Sequence, residues 1–108
     1  MSESIKAISE RYFYLKFNFS DLVARCETDA QENEVSQNFT DASDCFDRAI
    51  SLKFSDNAAD IKQLREDLEK NTQDLKNQMV ADEQIVTILG TLTAGSNLAK
   101  DLTGKGTN

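Results

Sequence analysis

The fold is decided by residues 5–26, which read IKAISERYFYLKFNFSDLVARC. Apolar side chains recur through this stretch at alternating intervals of three and four residues: Ile5, Ile8, Tyr12, Leu15, Phe19, Leu22 and Cys26. This spacing places them along one side of an α-helix and predicts a first helix over residues 3–28. Residues 13–19 also alternate as a strand would, but the chain offers no partner strand, so we favour the helix.

The rest of the chain shows the same helical spacing. Residues 1–89 contain neither glycine nor proline, which favours long helices joined by a few polar turns. Further helices are predicted over 34–54, 57–81 and 83–102, with Asp56 as the N-cap of the third. The join at residues 29–33 is left open between a turn and a continuous helix. Asn71 interrupts the third apolar seam, where it either sets a register or oligomeric state or is simply exposed.

The predicted fold class is therefore all-α. We expect an antiparallel helical bundle or a long helical hairpin of three to four helices, with packing like that of a coiled coil. Residues 1–103 would form one domain, and the glycines near the end predict a flexible tail over 104–108. A chain of 108 residues buries only about 60–70% of its unfolded surface, so a homo-oligomer or a bound partner would help to stabilise it.

Composition excludes several functions. The net charge is −7, which argues against nucleic acid because phosphate contacts need Lys and Arg. Histidine is absent, which removes the Ser-His-Asp triad and histidine metal sites. The sequence therefore predicts no catalytic residue, no metal, no cofactor and no enzyme.

Acidic residues are concentrated between Glu27 and Asp47, a segment with seven acids and no Lys or Arg. Asp41, Asp44 and Asp47 follow one another at intervals of three, unlike the alternate acids and sharp glycine turn of a calcium loop. These three carboxylates form either a solvated face or an electrostatic docking surface for a basic partner.

The aromatic residues suggest a partner-binding face. Five of the eight lie between Tyr12 and Phe19, on more than one side of the predicted helix. A helix that is apolar on two sides is either covered by another chain or central in its own bundle. We take Tyr12, Phe13, Tyr14 and Phe17 as candidate partner-binding residues.

Three small residues, Gly90, Ala94 and Gly95, lie about one turn apart on the fourth helix. An interior glycine costs roughly 1 kcal/mol relative to alanine, so close helix packing is the expected compensation. The neighbouring helix would belong to the bundle, to a partner or, less favourably, to a membrane-bound state. The glycines and threonines here also predict the least stable helix of the chain.

Localisation rests on weaker signals. Cys26 and Cys45 are interpreted as reduced thiols in a cytoplasmic protein, with a single disulfide as the alternative. The first residues do not form a secretory signal, and the uncharged stretch 84–99 is too short to span a membrane as a helix. Export without a cleavable signal stays open.

The function that best fits these observations is a non-enzymatic protein–protein interaction module, such as an adaptor, a chaperone-like protein or a regulatory binder. Its partner would be another protein or a second copy of itself. One alternative is an acidic inhibitor or immunity-type protein that caps a basic site. Another is a small exported or membrane-associating helical protein.

Overall fold

The protein, described by a computed structural model over residues 2–107, is built from α-helices joined by turns. The helices are α1 (Glu3–Phe17), α2 (Phe19–Arg25), α3 (Asp29–Ser51), α4 (Ile61–Val80) and α5 (Ile85–Gly106). Within 2–107 there is no strand, so the strand interpretation of residues 13–19 is wrong. The all-α class is confirmed, but the helices number five rather than three to four.

The first predicted helix is divided at Asn18. Its side-chain Nδ2 donates to the Tyr14 carbonyl at 2.8 Å, and its backbone N–H donates to the same oxygen at 3.0 Å. Such a local side-chain bond competes with the helical ladder, and a new helix begins at Phe19. The join left open at residues 29–33 is part of α3, and the turn lies just before it, at 26–28. Thr28 caps α3 there by accepting from the Gln31 N–H at 3.1 Å.

The segment between α3 and α4 is tied to the end of α5. Asp56 does not cap α4, which begins after Asp60; its carboxylate instead accepts a hydrogen bond from the Ser4 hydroxyl. The Ser55 N–H donates to the Gly106 carbonyl at 2.9 Å, and the Phe54 ring covers the face of Gly106 where a side chain would stand. α5 runs to Gly106, beyond the expected end at residue 102, so the flexible tail predicted for 104–108 is helical over 104–106, and Asn108 lies outside the described residues.

Four long helices surround the core. α5 contacts both α3 and α4, and α1 contacts both α3 and α4 from the other side. Two buried apolar clusters lie along the bundle, one containing Leu15 and Leu22 and the other containing Ile8. All six positions of the predicted α5 seam are buried: Ile85, Ile88, Leu92, Gly95, Ala99 and Leu102.

A polar layer separates the two apolar clusters. Arg11 lies between Ile8 and Leu15 on α1, is only 1% exposed, and donates through Nη2 to the Leu92 carbonyl at 3.0 Å and to Ser96 Oγ at 3.1 Å. Ser96 Oγ donates in turn to Asn38 Oδ1 on α3. Burial lowers the pKa of Arg11 to about 10, because the low-dielectric interior disfavours its charged form.

Asn71 extends this layer to α4. Its Nδ2 donates to the Thr91 carbonyl of α5 at 3.1 Å, so its position on the seam fixes the register of α4 against α5. A Cβ at Gly95 would collide with Asn71 Oδ1 and would lie 2.9 Å from Arg11 Nε. Gly95 is thus the point where these two polar side chains reach the α5 backbone.

Candidate interaction surface

Tyr12 joins α1 to α3. Its ring stacks on Phe46 at 5.0 Å and on Phe39 at 5.8 Å between centroids. Phe19, the first residue of α2, lies 5.3 Å from Phe39 between ring centroids, so the row of rings continues from α1 into α2 while it descends α3 from Phe46 to Phe39. Tyr12 is half-buried, and much of its surface is used inside the chain.

Phe13 and Phe17 face outward from the same row. Phe17 is 81% exposed and Phe13 is 39% exposed, with 6.3 Å between the ring centroids. Phe13 meets Phe46 edge-on at 5.4 Å, and Ile50, one turn beyond Phe46 on α3, is 53% exposed. We call Phe17, Phe13, Phe46 and Ile50 the aromatic stripe. Ile50 is not among the candidates predicted from the sequence, because the apolar spacing of this helix passes through Phe46 and Ala49 instead.

Tyr14 lies apart from the aromatic stripe. It packs against the apolar cluster of Leu15 and Leu22, and Lys76 Nζ of α4 lies 5.6 Å from its ring centre. Burial, reinforced by the nearby Asp21, raises the pKa of the Tyr14 hydroxyl. The structure therefore separates Tyr14 from Phe13 and Phe17, although the three are close in sequence.

The three candidate aspartates divide between two surfaces. Asp41 pairs with Lys100 Nζ at 3.1 Å, and its side chain is 15% exposed. Asp41 and Asp44 line a cavity of about 220 Å³ between α3 and α5, together with Cys45, Arg48, Lys100, Thr103 and Gly104. Asp47 does not line this cavity; it is exposed and follows Phe46, at the edge of the aromatic stripe.

The three small residues of α5 lie in two different environments. Gly95 is buried, whereas Gly90 and Ala94 are exposed, and a Cβ at Gly90 would meet nothing within 4 Å. The interpretation that Gly90 and Ala94 pack against a helix of this chain does not match the structure, because both lie off the buried seam that contains Gly95. Packing against another chain stays a prediction.

The described residues offer little that could hold a metal or activate a nucleophile. Within 2–107 no group of three or more His, Cys, Asp or Glu side chains is placed to hold a metal ion. Both thiols are free. Cys45 is buried, and desolvation raises its pKa, as it does for Cys26, so neither thiol is activated as a thiolate.

Among residues 2–107 no helix combines the length and the apolar character that crossing a membrane requires. Comparison with known proteins adds no relative: no family model matches the chain, and neither a curated protein nor a solved structure matches it.

Proposed function

We propose that this chain is a non-enzymatic protein–protein interaction module that binds its partner through the aromatic stripe. The observation that carries the proposal is the 81% exposure of Phe17 beside the partly exposed Phe13 and Ile50. Covering one such side chain is worth roughly 1.5–3 kcal/mol, so a continuous exposed row of them favours association. Apolar patches of a few hundred Å² are about the largest that a typical monomer exposes, and such patches are often functional.

The build of the aromatic stripe supports this role. Phe13 packs edge-on against Phe46, whose ring stacks on Tyr12, so the stripe rests on packed rings of two helices rather than on a loop. A rigid aromatic anchor loses little conformational entropy on binding and contributes strongly to interfaces. Free thiols at Cys26 and Cys45 suit a reducing compartment, and we place the protein in the cytoplasm as part of this proposal.

Site-specific photo-cross-linking tests the proposal. A photoreactive phenylalanine analogue at position 17 should yield a covalent adduct in cells, whereas the same analogue at the exposed α4 position Lys62 should not. The adduct should disappear when Phe13→Ser and Ile50→Ser are added to the same chain. Equal adduct at both positions, or none at position 17, would refute binding through the aromatic stripe.

The acidic-inhibitor function remains the second candidate because of the start of α3. Among the described residues no Lys or Arg lies within ion-pair distance of Glu27, Asp29, Glu32 or Glu34. A basic partner that docks there should associate more slowly as salt rises past physiological strength, where the Debye length is about 8 Å. A rate independent of salt would leave these carboxylates as a solvated face.

A further inference from the structure

We propose that the occupant of the aromatic stripe is a second copy of this chain, related by a two-fold axis through the middle of the stripe. This inference rests on the proposed function and names its partner. The stripe runs from Phe17 and Phe13 on α1 to Phe46 and Ile50 on α3, so its two ends belong to different helices. A two-fold axis exchanges these ends and places Phe17 of each copy against Ile50 of the other.

The charges beside the aromatic stripe complement each other under this symmetry. Lys16 precedes Phe17 at one end, and Asp47 lies three residues before Ile50 at the other, about 60° around the helix from it. Both side chains are exposed, and among the described residues neither has an ion-pair partner. Lys16 Nζ instead lies over the Tyr12 ring, 6.0 Å from its centre.

The arrangement that joins Phe17 to Ile50 therefore also brings Lys16 of each copy toward Asp47 of the other, twice per dimer. If the two-fold axis instead placed each end of the stripe against the same end of the other copy, Lys16 would face Lys16 and Asp47 would face Asp47. Because like charges opposite one another are unfavourable, the charges select the exchanged register.

The area sets the strength of the dimer. A fully covered phenylalanine buries roughly 150–250 Å², so Phe17, Phe13 and Ile50 together offer on the order of 300 Å² of apolar surface per copy at their observed exposures. A stable interface buries about 800 Å² per partner. The exposed apolar area of the stripe is less than half of that, so the dimer should be weak and reversible.

Sedimentation equilibrium of the purified chain over a range of concentrations tests the proposal. The unmodified protein should pass from monomer to dimer, and Phe17→Ser should weaken the dimer at least about tenfold, since that ring is the main anchor. Phe17 is so exposed that this variant should keep its circular-dichroism spectrum and its unfolding midpoint.

A charge swap tests the register. Lys16→Glu or Asp47→Lys alone should weaken the dimer about threefold to tenfold, because each puts like charges together at two equivalent places. The double variant should return to within about twofold of the unmodified protein, since exposed pairs of this kind act locally. Lys62→Glu, which makes the same change of net charge on α4, should have no comparable effect.

Three results would overturn the inference: a monomer at every concentration, a dimer insensitive to Phe17→Ser, or a double charge swap that fails to restore association. A monomer that still cross-links from position 17 to a different protein would refute the second copy and leave the proposed function standing. A monomer without any position-17 adduct would refute both.

Discussion

The two glycines on opposite sides of α5 predict stability changes of opposite sign on replacement by alanine. A Cβ at Gly90 meets nothing within 4 Å, so Gly90→Ala should only reduce the backbone freedom of the unfolded chain and raise helix propensity. That change is worth about 0.5–1 kcal/mol of added stability.

Gly95→Ala gains the same propensity but places its Cβ onto Asn71 Oδ1 and within 2.9 Å of Arg11 Nε. Overpacking of this kind costs typically 1–3 kcal/mol, and Arg11 has little room to retreat because Nη2 is bonded to two α5 oxygens. Because both variants gain the same propensity, they should differ by the overpacking cost of about 1–3 kcal/mol, and Gly95→Ala should on balance lose up to about 2 kcal/mol.

Urea unfolding followed by circular dichroism measures both changes. With a slope of about 1–3 kcal/mol per molar urea, the two midpoints should differ by roughly 1 M. Adding Asn71→Ala to Gly95→Ala should recover part of the loss, since it removes the carboxamide oxygen that the new methyl meets. If Gly95→Ala stabilises the protein as much as Gly90→Ala does, the argument from the contact at Gly95 is refuted.

Three further predictions follow from the buried groups. Arg11→Met should leave the free energy of unfolding unchanged or raise it by about 1–4 kcal/mol, since it removes a buried charge whose Nε and Nη1 make no hydrogen bond. The stability advantage of Arg11→Met over the unmodified protein should shrink as the pH rises past 10. Folding lowers the pKa of Arg11 to about 10, so above that pH the unfolded chain binds more protons than the folded one. The free energy of unfolding of the unmodified protein, measured by urea titration, should therefore rise with pH. A maleimide should label half-exposed Cys26 well before buried Cys45, and equal rates would contradict the packing around Cys45. Amides of α5, with ten buried residues, should exchange more slowly than those of α2, with one; fast exchange throughout α5 would favour the sequence-based expectation that it is the least stable helix.

Periodicity located the helices because burial repeats along them. Ile8, Leu15 and Leu22 of the first seam are fully buried, and so is every position of the α5 seam. The break at Asn18 escaped the pattern, since a side-chain bond to a carbonyl four residues earlier leaves the apolar spacing unchanged. The start of α4 was misplaced for a related reason: Asp56 suits an N-cap, but the Ser4 hydroxyl bonds its carboxylate.

The candidate surface was anticipated in part. Phe13 and Phe17 face outward, off the seam that the helical spacing defines. Tyr12 belongs to that seam and packs on α3, whereas the contact of Tyr14 with Lys76 of α4 is specified by no local pattern. Arg11 lay within reach of the sequence, because it is three residues after Ile8 and four before Leu15, on the core side. The charge of Arg11 argued against a buried position. Burial becomes possible because the Leu92 carbonyl and Ser96 Oγ, far along the chain, accept hydrogen bonds from its guanidinium.

The polar layer also bears on the order in which the chain acquires its structure. Arg11 and Leu92 are 81 residues apart, so their hydrogen bond cannot form on a ribosome until α5 has been synthesised at least as far as Leu92. Until then the guanidinium between Ile8 and Leu15 lacks its α5 acceptors and keeps the growing α1–α3 pair hydrated at its centre. Helical bundles fold quickly when their contacts are local. Here α5 provides the hydrogen-bond acceptors for Arg11 of α1, so the bundle should fold in a concerted step only once α5 is present.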